Sequence, residues 1–244
     1  MRELPVPGFY DPARAREWAE VHGVGSGASR LVTGNLDLFW SGYLRSLGIC
    51  LWGMVGSLLL GTLIASFRVS PVPPLRAFGT AYVTIIRNSP LTVVLFLFAF
   101  GLPEIGINRS YYFFGVTALI IYTSAFVCEA VRSGINSVSA GQAEAARSIG
   151  LTFSQSLGQV VLPQAFRTSI PPIGSVIIAM FKNSAVVGAF GVGGDLFSVG
   201  ANLTSAQGYA ALPILTGVAI GYLCITIPAG LLLGLLERKV AIVR

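Results

Sequence analysis

Two cations stand inside apolar runs of this sequence, each beside amides and hydroxyls: Arg87 in Arg87-Asn88-Ser89-Pro90-Leu91, and Lys182 in Lys182-Asn183-Ser184. A charge near the centre of a bilayer costs about 2.5–3.5 kcal/mol even on insertion scales, so such a residue faces a cavity or a partner. Pro90 has no N–H and is expected to leave the Ile86 carbonyl unpaired. Asn88, Ser89, Asn183 and Ser184 supply polar groups that can satisfy freed backbone or touch a solute. Broken helices at membrane depth line transport sites, so both segments are read as facing a solute pathway, where a cation favours a carboxylate. Counted from the ends of their spans at about 1.5 Å per residue, Arg87 and Lys182 lie roughly 18 and 21 Å deep, in one layer. The competing roles are a headgroup-reaching side chain or an interhelical salt bridge for Arg87, and structural pairing for Lys182. Glu129 is expected to pair with Arg132 one turn on or with Arg87, rather than to touch solute.

A second constellation lies between apolar spans: Glu144-Ala145-Ala146, then Gly150, Val160 and Leu162-Pro163. Ser139–Ile149 is rich in strong helix formers, and Gly150 supplies the left-handed position that commonly ends a helix. Thr152 and Gln155 have capping-box spacing, which starts a second helix that Leu162-Pro163 is expected to stop. The result is a helix–turn–helix outside the bilayer. Ala143, Ala145 and Ala146 offer a face of small side chains for close approach by another protein, with Glu144 and Arg147 adding directional charge. An ordinary loop with alanines chosen for helicity is the competing reading.

The elements that hold these residues are membrane spans. Hydrophobic residues make up 54% of the chain and charged residues 11%, against about 25% charged in a soluble domain. Several runs reach the roughly 20 apolar residues a membrane helix needs. The net charge of +6 sits mostly at span ends, which fits positive-inside bias and not a nucleic-acid surface. Cys50, Cys128 and Cys224 are isolated in apolar runs and His22 stands alone, so a metal site or redox pair is not expected. No apolar core of signal-peptide length precedes Leu44.

Five spans are expected, over about Tyr43–Phe67, Leu75–Gly101, Tyr111–Val131, Thr168–Phe190 and Tyr209–Leu236. Residues 1–35 read as a flexible extracytoplasmic tail with a short helix near Pro12–Val21, and Leu36–Gly42 as an interfacial segment. Residues 36–244 form the membrane domain, with the docking loop at about 132–167. The long connection Gly191–Gly208 reads as a flexible gate or a partner-contacting loop. One set of connections and the C-terminus carry Arg68, Arg76, Arg132, Arg147, Arg167, Arg238, Lys239 and Arg244; the opposite loops carry Arg109. That asymmetry places the N-terminus outside and the C-terminus in the cytoplasm. The fold class is thus an all-α membrane protein, with a cytoplasmic helix–turn–helix loop between spans three and four.

The stretch Gln142–Arg167 resembles the EAA loop of permeases in the polar amino-acid branch of ABC importers, with Val160 departing from the usual Ile. Arg87–Leu91, Pro171-Pro172 and Lys182–Ser184 are similar to further segments of that branch, Ala185 replacing a frequent Ser or Thr. The resemblance covers about residues 40–240. It implies a permease subunit in the bacterial cytoplasmic (inner) membrane, multi-pass, that pairs with a second permease, identical or homologous. It also implies two ATPase subunits gripping residues Ala143, Glu144, Ala145, Ala146, Arg147, Gly150, Leu162 and Pro163, and an extracytoplasmic binding protein that delivers the solute. ATP and Mg belong to the partner ATPase; no cofactor is expected on this chain, which has no phosphate-loop sequence and is not expected to be an enzyme. Arg87, Asn88, Ser89, Pro90, Lys182, Asn183 and Ser184 are the expected substrate pathway, favouring an acidic or neutral amino acid. The alternative is a secondary transporter or channel for a small polar solute.

Overall fold

The computed structural model describes residues 35–152, 155–189, 191 and 194–240. The tail and short helix expected before Asn35 lie outside the described residues. The described residues are mostly helical: α1 (Leu36–Val69), α2 (Pro73–Asn88), α3 (Leu91–Phe96), α4 (Tyr111–Asn136), α5 (Ala140–Ser148), α6 (Leu162–Ala189), α7 (Leu196–Ser205) and α8 (Ala211–Val240). A π-helical stretch, Leu97–Gly101, carries α3 into a last turn at Leu102–Glu104, and another, Ser156–Val161, runs directly into α6. No strand occurs among the described residues.

Among the described residues four helices are long and apolar enough to cross a membrane, and the pair Pro73–Asn88 and Leu91–Glu104 adds a fifth span if it is counted as one. That pair is bent by 103°, where a single span with a disturbance at Pro90 was expected. The first span also differs, because no helix breaker separates Leu36 from Val69. The segment expected to lie along the interface is instead the opening of α1, where Trp40 stacks on Tyr43 at 5.6 Å. At 34 residues, α1 is about 51 Å long, well beyond a hydrocarbon core of about 30 Å.

The bundle is built on α1 against α4, α4 against α6, and α6 against α8. Small residues permit the first contact. A Cβ on Gly61 would stand 2.6 Å from Val127 and 2.7 Å from the Ser124 carbonyl, and one on Gly56 would meet Ile120. Lipid gives helices no hydrophobic reason to associate, so close backbone approach of this kind carries the packing. The matching contacts advance together along both helices, so α1 and α4 are parallel. Met180 against Gly53 and Ser184 against Cys50 show α6 running the other way. The main core gathers Ile49, Cys50, Leu95, Leu119, Met180 and Val187. Much of α8 (Leu223, Ile227, Leu231, Leu232, Leu235) is exposed apolar surface, as expected of a helix solvated by lipid.

Candidate functional site

The break between α2 and α3 follows from Pro90. The Ile86 carbonyl that lost its helical partner is not left bare, as was expected, because it accepts from the Ser89 N–H at 3.2 Å. Side chains cap the neighbouring carbonyls: the Asn88 amide donates to Thr84 and the Ser89 hydroxyl to Ile85, both at 2.8 Å. Asn88 and Ser89 therefore finish α2, and the Pro90 carbonyl starts α3 by accepting from Val93 and Val94. On the exposed side of α2, Arg76, Thr80 and Thr84 line an open groove of about 640 Å³.

Arg87 sits at the edge of a charge cluster centred on Glu129. Glu129 on α4 accepts hydrogen bonds from Arg68 at the end of α1 and from two nitrogens of Arg132 at 2.9 and 3.1 Å. Arg87 approaches the same carboxylate at 3.7 Å and lies over the Phe126 ring, 5.5 Å from its centroid. Pairing of Glu129 with Arg132 or with Arg87 was expected, the first from its one-turn spacing. Arg68 was missed, because it is 61 residues away in sequence and nothing local links the two.

The shared layer expected for Arg87 and Lys182 does not form. Tyr82 donates to the Ile121 carbonyl, whereas Arg87 reaches Glu129, so α2 runs along α4 toward the Arg132 end. Met180, two residues before Lys182, packs on Gly53 and Leu119. Glu129 is ten residues beyond Leu119, about 15 Å further along α4. A depth count assumes a helix along the membrane normal, and the bend at Pro90 removes that assumption.

Lys182 is exposed and makes no ion pair among the described residues. Asn183 is half-buried and lines a cavity of about 140 Å³ with Tyr122, Thr123 and Phe126 of α4 and with Met180. Ser184 is turned into the bundle: its hydroxyl donates to Phe181 at 2.7 Å and lies 3.4 Å from the Cys50 sulfur. Phe126 is where the two segments meet, with Arg87 on its ring and Asn183 across the cavity. The α4 residues were absent from the sequence reading, since they look like ordinary span-filling residues; a tyrosine and a threonine in mid-span were the available signal.

The connection between α4 and α6 takes the helix endings that its spacing dictates. After α5 the Gly150 φ is +88°, the Gly150 N–H donates to Arg147 at 3.0 Å and the Leu151 N–H to Ala146 at 3.2 Å. Those two bonds are a Schellman ending. The Thr152 N–H donates to the Gln155 side chain at 2.9 Å and the Gln155 N–H to the Thr152 hydroxyl at 3.4 Å, the expected capping box. One feature differs. Leu162-Pro163 does not stop the second helix, which continues unbroken from Gly158 to Ala189. The π-helical stretch immediately before Pro163 widens the turn where its ring and missing N–H would disrupt an α-helix. Glu144, Ala145, Arg147, Gly150, Leu162 and Pro163 are exposed, Ala143 is half-buried, and Ala146 is buried within the chain. Ile149, not singled out from sequence, is 80% exposed at the tip of α5.

The connection Gly191–Gly208, expected to be a flexible gate or loop, contains α7. Asp195 caps it, accepting from the Ser198 N–H at 3.2 Å and hydroxyl at 2.8 Å and from the Tyr222 hydroxyl at 2.7 Å. The Leu196 N–H donates to Ser46 of α1 at 3.0 Å. Asp195 is fully buried, and that burial pushes its carboxyl above the usual range against the pull of these hydrogen bonds. Short polar residues in a glycine-rich run conceal a packed helix, which is why the sequence read as loop. Among the described residues no three His, Cys, Asp or Glu side chains gather as a metal site would require.

Residues 57–242 match the family model described as binding-protein-dependent transport system inner membrane component. The chain is 40% identical over 205 residues to "Probable glutamine ABC transporter permease protein GlnM" of Bacillus subtilis, covering 84% of this chain and 94% of that one. It is 35% identical over 219 residues to the glutamate transport system permease protein GluC of Corynebacterium glutamicum, covering 85% and 94%. Among solved structures, one described as an amino acid ABC transporter with histidines superposes with a TM-score of 0.79 at 34% identity, over 85% of this chain and 96% of that one. An inward-facing MetNI methionine ABC transporter shares the fold, with a TM-score of 0.67 at 22% identity over 86% and 99%.

Proposed function

The chain belongs to the family of binding-protein-dependent transport system inner membrane components, and from that premise we propose that it carries a polar amino acid as one half of a paired permease. It is the permease subunit of an ABC importer, like the amino-acid permeases it resembles over most of their length. Family membership sets aside the secondary transporter or channel. The solute is acidic or neutral: relatives are named for glutamine and glutamate, and among the described residues no acid other than the thrice-paired Glu129 pairs with Arg87 or Lys182 to balance a cationic side chain.

The N-terminus is outside and the C-terminus cytoplasmic, in the inner membrane of a bacterium. The parallel run of α1 and α4 brings Arg68 and Arg132 to one end, as that orientation requires. Arg87, Asn88, Ser89, Pro90, Lys182 and Asn183 border the pathway, with Ser184 holding α6 in place. A separate pair of ATPase subunits carries ATP and Mg, and a binding protein delivers solute from outside.

The docking loop is the observation that carries this reading. Its two helix ends are closed by internal hydrogen bonds, yet its outer face is bare and tipped by an exposed isoleucine. A rigid surface with an apolar point is what a partner protein can grip. Ile149→Asp should abolish solute-stimulated ATPase activity of the assembled complex without lowering its melting temperature. Full stimulation in that variant would refute the docking role.

A further inference from the structure

Helix α2 presents three sides, and the bundle accounts for two of them. At about 100° per residue, Gly79, Tyr82, Val83 and Ile86 share the side that packs on α1 and α4. Phe78 and Ile85, 56% and 64% exposed, hold a second, apolar side suited to lipid. Every polar side chain of α2 except the α4-bonded Tyr82 falls on the third side: Arg76, Thr80, Thr84, Arg87 and Asn88, within an arc of about 120°. All five are exposed. The Thr80 hydroxyl and the Asn88 amide donate to carbonyls of α2 itself. Among the described residues, Arg87 is the one side chain of this arc with a polar contact to another helix. Lipid gives such a face nothing to bond, and ionisable side chains of membrane helices turn to a partner or to a water-filled cavity.

Place and charge identify what passes along this face. α2 begins just beyond the Arg68 end of α1, and its Arg87 reaches Glu129 beside Arg132. The face therefore stands at the end of the bundle that the charge asymmetry puts in the cytoplasm. Its two guanidiniums, on residues 76 and 87, are about 16 Å apart along the helix axis. Between them lie the hydroxyls of Thr80 and Thr84, which accept as well as donate. No acid occurs in α2, and Arg76 makes no ion pair among the described residues. That field attracts a carboxylate and repels a cationic side chain. Arg76, which served only to orient the chain in the sequence, thereby gains a second role. We propose that the Arg76–Thr80–Thr84–Asn88 face of α2 lines the cytoplasmic half of the solute route, guiding the carboxylate of the amino acid from Arg87 toward Arg76.

This assignment rests on the amino-acid importer reading, and the test separates the two. The complete transporter, with its ATPase subunits and binding protein, is reconstituted in liposomes, and ATP-dependent uptake of labelled L-glutamine is measured. Thr80→Cys and Thr84→Cys place a thiol on the polar face, and Phe78→Cys and Ile85→Cys place one on the apolar side. The exposed Cys224 is first replaced by serine, whereas Cys50 and Cys128 are buried. Each variant is assayed before and after both sides of the membrane meet a sulfonate-bearing thiol reagent. Labelling at 80 and 84 should reduce uptake to the rate seen without ATP, and treatment at 78 and 85 should leave it unchanged. Arg76→Gln should slow uptake roughly tenfold, the loss of one charge-assisted hydrogen bond, and Arg76→Lys should recover most of the rate. Uptake that survives labelling at both 80 and 84 would overturn the assignment and leave a face turned to lipid headgroups. Equal block from 78 and 85, or an Arg76→Gln complex as fast as the wild type, would overturn it as well. A wild-type complex that transports no amino acid would refute the importer reading, and this assignment with it.

Discussion

Glu129→Gln removes a charge without creating a void, which makes it a clean probe of how three helices are fastened at one end. The wild-type carboxylate neutralises Arg68, whose side chain is 16% exposed, and meets Arg132 and Arg87, which are 40% and 45% exposed. Breaking a buried pair by removing one partner costs about 3–5 kcal/mol, whereas an exposed pair is worth about 0.2–1 kcal/mol. Arg68 lies toward the first limit and the other two toward the second. The loss should therefore be about 3–4 kcal/mol, most of it through Arg68. For a chain of this size each kcal/mol shifts the melting temperature by about 2–4 °C, giving a fall of roughly 6–16 °C. The assay is thermal unfolding of the purified protein in detergent with lipid, with double-mutant cycles to Arg68→Met and Arg87→Met. Coupling should exceed about 1.5 kcal/mol for Arg68 and stay under about 0.5 kcal/mol for Arg87. A fall of less than about 2 °C, or stronger coupling to Arg87 than to Arg68, would refute the reasoning.

Gly150→Ala puts a side chain at φ +88° with nothing within 4 Å of the added Cβ; the strain of about 1–2 kcal/mol should blunt ATPase stimulation in the complex, and unchanged stimulation would argue against a fixed loop. Gly134→Ala would set a Cβ 1.8 Å from the Ser169 hydroxyl and 2.7 Å from the Ala165 carbonyl, so it should cost about 1–3 kcal/mol and lower the melting temperature more than Gly141→Ala, which meets nothing within 4 Å. Asp195 titrates above the usual carboxylate range because it is buried. Its folded state therefore holds the proton more tightly than its unfolded state, and the stability it contributes is complete at acid pH and lost as pH rises through the raised value. Melting temperatures measured across pH should show the wild type gaining on Asp195→Asn as pH falls from neutrality; a wild type that loses ground on acidification would contradict the burial argument.

What could be read from sequence was local. The Gly150 helix ending and the Thr152–Gln155 box rest on residues within one or two turns of each other, and both formed. Glu129 with Arg132 is likewise a one-turn pair. Arg68 with Glu129, Ser46 with Leu196 and Tyr222 with Asp195 join distant segments, and no spacing rule reaches them. Helix direction was the second blind point. Proline at position 90 signalled a break but not a bend of 103°, and without the angle Arg87 was placed too deep. Pro163 shows the converse: a residue that ordinarily stops a helix is carried through by a π-helical turn that its sequence does not announce.

The central claim is that this chain moves an amino acid only when ATP is hydrolysed by partner subunits docked at Glu144–Pro163. Uptake of labelled glutamine into liposomes holding the complete transporter tests it most directly, with ATP and the binding protein supplied on their respective sides. Accumulation that requires ATP and the binding protein, and persists when ion gradients are collapsed, is the predicted result. Uptake that proceeds without ATP or the ATPase subunits, driven by an ion gradient, would contradict it.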